Sequence, residues 1–127
     1  YFTDQGQTGL HDPTGRVYRL GVDGRLDPLL DNVPSPNGIA LSPDETVLYV
    51  AATRGNCVWR MPLMADGSVS KAGQFFTSRG PSGPDGLAVD EDGALVRLHF
   101  AHTGDVLGAV CETGTTAALV VLALSAA

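Results

Sequence analysis

The sequence predicts an all-β fold: a piece of a β-propeller, about two and a half four-stranded blades long. Three observations carry that prediction. The stretch Pro36-Asn37-Gly38-Ile39-Ala40-Leu41-Ser42-Pro43-Asp44 returns as Pro84-Asp85-Gly86-Leu87-Ala88-Val89-Asp90-Glu91-Asp92, 48 residues later. Short apolar runs follow each copy and are bounded by turn residues. The 16 Gly and 8 Pro among 127 residues are spread along the chain, which argues against a helical bundle.

The first unit, residues 1–33, is a partial blade. Tyr1-Phe2-Thr3-Asp4 stands where the next unit has Leu48-Tyr49-Val50-Ala51, and Arg16-Val17-Tyr18-Arg19-Leu20 matches Cys57-Val58-Trp59-Arg60-Met61. Asp23-Gly24 is a hairpin turn between outer strands. The second unit, residues 34–81, is a whole blade. Its Ile39-Ala40-Leu41 run is short and apolar, the pattern of a strand buried on both faces. Pro43-Asp44-Glu45 is a turn, Val47-Leu48-Tyr49-Val50 is the next strand, Cys57 to Met61 the third, and Asp66-Gly67 a second hairpin. Trp59 and Tyr18 share a repeat position, so packing between blades is their expected role. The third unit, residues 82–127, repeats the motif, with Leu87-Ala88-Val89 as the inner strand, Asp90-Glu91-Asp92-Gly93 as the turn and Ala94-Leu95-Val96 as the next strand. Gly104-Asp105-Val106-Leu107 can still be laid on Asn56-Cys57-Val58-Trp59. Beyond Gly108 the rhythm is lost, and Thr113 to Leu124 reads as a truncated or out-of-frame end, or as a last strand with a frayed apolar tail.

A propeller closes with about 4–8 blades, and an open arc leaves strand edges unpaired. The chain is therefore expected to be a fragment. It begins at Tyr1, on a strand, with no start residue or leader in view.

Composition narrows the function. A formal charge of −6, from 14 Asp+Glu against 8 Lys+Arg, excludes a protein that grips phosphate backbones. The longest apolar run, Ala117 to Leu124, is far short of the ~20 residues that cross a bilayer. Cys57 and Cys111 make no zinc spacing and no disulfide framework; one bridge or two free thiols remain open. The expectation is a soluble protein with a cytoplasmic setting and no nucleic-acid, membrane or protein partner. Eleven of the 14 carboxylates are Asp. Asp suits turns, where its side chain bonds the backbone two residues on, and it also suits hard cations as an oxygen ligand. Asp23, Asp44, Asp66 and Asp92 fit the first role.

The two repeat motifs differ where chemistry could sit. Pro36-Asn37-Gly38 carries an amide where Pro84-Asp85-Gly86 carries a carboxylate. Inner-strand loops of neighbouring blades converge on one channel mouth, and an amide oxygen beside a carboxylate suits Ca²⁺ or Mg²⁺. Both tripeptides are also good turns, so both readings stand. His11, His99 and His102 share no metal-like pattern. Ser42, Ser78 and Ser82 lack the Gly-x-Ser-x-Gly context of a nucleophile. Residues 79–83 read as a connector ahead of Asp85.

Tyr1-Phe2-Thr3-Asp4, Gly15-Arg16-Val17-Tyr18-Arg19, the run from Ser35 to Asp44 and Gly83-Pro84-Asp85-Gly86-Leu87-Ala88-Val89-Asp90 resemble, in this order and spacing, the gluconolactonase/regucalcin (SMP-30-like) family. That family includes the drug-responsive lactonases and is related to the paraoxonases. The likeness runs from Tyr1 to about Ala94, some three quarters of the chain. It implies a six-bladed propeller that hydrolyses small-molecule lactones with a divalent cation in its channel: Ca²⁺ first, with Mg²⁺, Mn²⁺ or Zn²⁺ as alternatives. It makes Asn37 a metal ligand, and Asp85 a second ligand and the catalytic proton-transfer group. Asp4 lies in the same mouth and, with Tyr1, matches a calcium site of the drug-responsive lactonases. Gly86 stands where that subgroup sometimes has a serine ligand. The family's first ligand, a Glu, belongs upstream of Tyr1, so the chain alone is expected to be weakly active or inactive. The alternative is a non-catalytic propeller module that binds a ligand or a protein.

Overall fold

Turn residues cut this chain into short strands, and the strands pair with their neighbours in sequence. The computed structural model describes residues 1–79, 81–99, 108–113 and 116–121. Phe2–Asp4 (β1), Gly15–Leu20 (β2) and Leu26–Val33 (β3) form one antiparallel sheet in the order β1-β2-β3. Pro36–Leu41 (β4), Val47–Ala52 (β5), Cys57–Pro62 (β6) and Gly73–Thr77 (β7) form a second, in sequence order. Gly86–Val89 (β8), Leu95–His99 (β9), Gly108–Thr113 (β10) and Thr116–Val121 (β11) form a third, also antiparallel and in sequence order. The fold is all-β and of the propeller type: successive antiparallel sheets of up to four strands, each strand beside its neighbour in sequence. The helical element among the described residues is a single 3₁₀ turn, Thr53–Gly55 (η1). None of the described helices is long and apolar enough to cross a membrane.

The turns follow their residue chemistry. Asp23 Oδ1 accepts the N–H of Arg25 at 3.1 Å, and Asp66 Oδ1 accepts the N–H of Ser68 at 3.0 Å, closing the two outer hairpins. Asp44 accepts the Ser42 and Thr46 hydroxyls at 2.6 and 2.9 Å. Asp90 Oδ1 accepts the N–H of Ala94 at 2.7 Å in the matching turn of the third sheet. The hydroxyl of Ser42, followed by the hydroxyl and N–H of Thr46, holds the Asp44 carboxyl below the usual carboxylate range. The hydroxyl and N–H of Ser68, with the charge of Arg19, do the same for Asp66.

The core lies between sheets rather than within one. Leu48, Val50 and Ala52 of β5 and Cys57 and Met61 of β6 pack on Val17 of β2 and Val33 of β3, with Trp59, Ile39 and Leu41 half-buried around them. Burying side chains the size of Leu48 and Met61 stabilises by about 1.5–3 kcal/mol each. On the other face of the same sheet Ala51 and Val58 are fully buried, so the sheet is covered on both sides around this pair, while β7 is exposed along its length. Trp59 thus packs between sheets, as expected. Its repeat partner Tyr18 stacks on Phe2, ring centroids 5.2 Å apart.

Two expectations need correcting. Ile39, Ala40 and Leu41 are half-buried and Ala88 is exposed, not buried on both faces. β4 and β8 are edge strands, so each has sheet on one flank only and the apolar run is left partly open. Gly108–Thr113 and Thr116–Val121 are also strands, where the repeat rhythm was expected to be lost. Gly108 pairs with His99 and Thr113 with Thr116, so β10 and β11 complete the third sheet. Their Val and Thr content favours extended backbone without any copy of the repeat. Residues 104–107, expected to mirror 56–59, and the tail from 122 lie outside the described residues, as do Gly80 and His102.

Candidate functional site

Local register explains how Asn37 reaches its neighbour. Pro36 pairs with Ala52 and Ile39 with Val50, so β4 carries one residue too many between those pairs. The irregularity releases Gly38 from its own sheet. Its N–H points instead to the carbonyl of Asp85, at 2.6 Å. A Cβ on Gly38 would overlap the backbone of Asp85, Gly86 and Leu87. The two copies of the motif therefore touch backbone to backbone.

That contact brings the functional groups together. The Asn37 amide Nδ2 donates to Asp85 Oδ1 at 2.6 Å, across 48 residues of sequence. Both side chains are half-buried, while Pro36 and Pro84 before them are fully buried and anchor the loops. Thr3, in the middle of β1, donates its hydroxyl to the Asn37 carbonyl at 2.7 Å. Thr53, just past β5, donates its hydroxyl to the Pro84 carbonyl at 2.8 Å. Ser35, ahead of the first motif, takes φ 52° and its carbonyl accepts the Thr53 N–H at 3.1 Å. A serine in the left-handed region costs about 1 kcal/mol, a strain the surrounding bonds hold in place.

The other predicted residues lie nearby without joining the pair. Asp4 follows Thr3 and so shares its rim, but its Oδ1 accepts the N–H of Gly6 at 3.0 Å. Tyr1 is 43% exposed and borders a cleft of about 210 Å³ with Ile39, Ala40, Leu41 and Leu48. That cleft runs along β4 away from Asn37. Among the described residues no three His, Cys, Asp or Glu side chains gather into a metal-binding group. The donor set that does meet is one anionic carboxylate and one neutral amide. Both carry oxygen, the chemistry that hard cations take, and the pair fits as two ligands of a larger shell.

Sequence reasoning missed Thr53. Its neighbourhood, Ala51-Ala52-Thr53-Arg54, carries no turn or motif signal. No sequence signal was available for it, because its bonds run to backbone carbonyls of other segments.

Comparison with known proteins bears on the same residues. A family model described as the SMP-30/Gluconolactonase/LRE-like region matches residues 1–120. Lactonase drp35 of Staphylococcus aureus is 39% identical over 102 residues, 75% of this chain and 30% of the relative. A gluconolactonase of Zymomonas mobilis is 35% identical, over 87% of this chain and 37% of its own. The crystal structure of a calcium-binding regucalcin from Agrobacterium tumefaciens superposes with a TM-score of 0.66 at 26% identity, covering 85% of this chain and 37% of that one. The chain thus spans about a third of the length of the curated relatives it matches.

Proposed function

Because this chain belongs to the SMP-30/gluconolactonase/LRE-like family, we propose that it supplies part of the active centre of a divalent-cation-dependent lactone hydrolase. The observation that carries the reading is the Asn37–Asp85 pair at 2.6 Å, built by two copies of one motif. Lactone hydrolysis is supported at family level by the lactonase and gluconolactonase relatives. Ca²⁺ is the cation of choice, supported by the calcium-binding regucalcin among the structural neighbours, with Mg²⁺, Mn²⁺ or Zn²⁺ as alternatives. The reading takes residues 1–33, 34–81 and 82–127 as successive blade units, and a cytoplasmic setting.

Asn37 and Asp85 would hold the cation. When bound, it would polarise the lactone carbonyl and lower the pKa of a coordinated water. Asp85 is the base: its carboxylate takes the proton of the attacking water as oxygen adds to the carbonyl carbon. As the ring C–O bond breaks, Asp85 returns that proton to the leaving alkoxide, so the product is a hydroxy acid. Asn37 is neutral, so it contributes an oxygen without cancelling the cation's charge. Asp4 joins the reading through its place on the same rim, and Tyr1 through its motif. The test is Asp85→Ala in a full-length relative carrying the same motif. Metal-dependent lactone opening should disappear, and turnover that survives the substitution would sink the assignment.

A further inference from the structure

Thr53 touches both motif loops at once. Its N–H donates to Ser35, two residues before Asn37, at 3.1 Å, and its hydroxyl donates to Pro84, the residue before Asp85, at 2.8 Å. The contact is tight on a third side, because a Cβ on Gly83 would overlap the Thr53 carbonyl. η1 starts at Thr53, and the N–H of Asn56 donates to its carbonyl at 3.1 Å. The residue is therefore held by its own turn while it holds both neighbours. One short side chain spans the seam between two sheets at the place where the amide and the carboxylate meet.

We propose that Thr53 is a positioning residue that sets the separation of Asn37 and Asp85, and through it the affinity of the site for a divalent cation. The proposal deepens the cation reading above and rests on it. The hydroxyl is the working group: it fixes the Pro84 carbonyl, and the peptide that follows carries Asp85. Among the described residues, the other hydrogen bonds from the second sheet to residues 83–85 come from the Gly38 N–H and from the Asn37 amide itself. Without the Thr53 bond the amide would be both clamp and ligand, and could not serve freely as the second.

Thr53→Val removes the hydroxyl and keeps the shape, whereas Thr53→Ser keeps the hydroxyl and loses a methyl. Two readouts separate positioning from bulk stability: Ca²⁺ affinity by calorimetry, and the Asn37 side-chain amide signals by NMR in Ca²⁺-free buffer. In Thr53→Val the affinity should fall by about tenfold or more, the range seen when a residue that orients a metal ligand is lost. The Asn37 signals should move with it. Thr53→Ser should stay near the parent in both, even where its melting temperature drops as far as that of Thr53→Val. Parent-like affinity or parent-like Asn37 signals in Thr53→Val overturn the proposal, and so does a Thr53→Ser variant displaced as far as Thr53→Val. If the unsubstituted chain, which supplies two ligands of a larger shell, binds no Ca²⁺, the Asn37 signals alone decide whether Thr53 sets the pair. A full-length relative with the same motif that binds no Ca²⁺ is what sinks the cation reading.

Discussion

The repeated motif has two ends, and they use their acids in opposite ways. At the mouth, where β4 and β8 begin, Asn37 and Asp85 spend their side chains on each other across the seam between sheets. At the far end of the same strands, Asp44 spends its carboxylate on Ser42 and Thr46, and Asp90 on Ala94, within a few residues of each. Both ends repeat at 48 residues and both are rich in Asp, Gly and Pro. The difference lies in where the backbone is satisfied. The far turns close their own hydrogen bonds, Ser42 to Val47 and Asp90 to Ala94. The mouth leaves the Gly38 N–H to be met by another sheet, and that demand pulls the next motif into contact.

The strongest way to break this contrast is to add one methyl at each end. Gly38→Ala would push a Cβ into the backbone of Asp85, Gly86 and Leu87, none of which can rotate away. The expected loss is about 3 kcal/mol of stability, and the Asn37–Asp85 bond goes with it. Gly93→Ala at the far end has nothing nearer than Pro43 at 3.9 Å, and its cost is the left-handed backbone at φ 85°. Glu45 already occupies that region at φ 57° in the matching turn, so about 1 kcal/mol is expected. Urea unfolding of both variants measures the two losses. Equal losses would mean that the mouth is no tighter than an ordinary turn.

A second pair of changes asks whether the ends differ in chemistry as well as packing. Asn37→Ala removes a proposed ligand and Asp85's partner together, and should weaken Ca²⁺ binding by at least about tenfold. Asp44→Ala removes a carboxylate from an acid-rich turn, yet should leave Ca²⁺ affinity at the parent value. Calorimetric titration of the two variants decides it. Weaker binding in Asp44→Ala would place a cation at the far end and undo the distinction.

Much of this was legible in the sequence, and for identifiable reasons. The repeat exposed the blades because a propeller builds the same unit again, and Asp23 and Asp66 sit in the turns their Asp-Gly pairs announced. The pairing of positions 37 and 85 was also legible, since equal places in successive blades converge. The extra residue in β4 was not. A bulge is a matter of register between two strands, and Asn37-Gly38 reads equally well as a plain turn. Thr53 stayed hidden for the same reason: its partners are carbonyls of other segments, which have no side-chain signature. β10 was missed and β11 stood as only one of the readings of the chain's end, because Gly108–Thr113 and Thr116–Val121 follow strand propensity and not the motif. Tyr1 shows the converse, a motif residue whose cleft is formed with Ile39 and Leu41 rather than with Asn37.

The finest test concerns protons at the turn acids. Asp44 and Asp66 both have folded-state pKa values below their unfolded ones, because hydroxyl and backbone donors favour the charged carboxylate. Such a group contributes stability that is fully present above the unfolded pKa and is lost as pH falls through the folded one. The window therefore lies at and below the ordinary carboxylate range, and nothing should change near neutrality. Ser68→Ala removes the largest cause at Asp66, and Ser42→Ala the largest at Asp44, so each carboxyl should titrate closer to its ordinary value in a carbon-detected NMR experiment. The rise should be smaller at Asp44, where Thr46 still offers its hydroxyl and its N–H. A midpoint that does not move in either variant would mean that the turn donors are not committed to these carboxylates. The far end would then be as free to take a cation as the mouth.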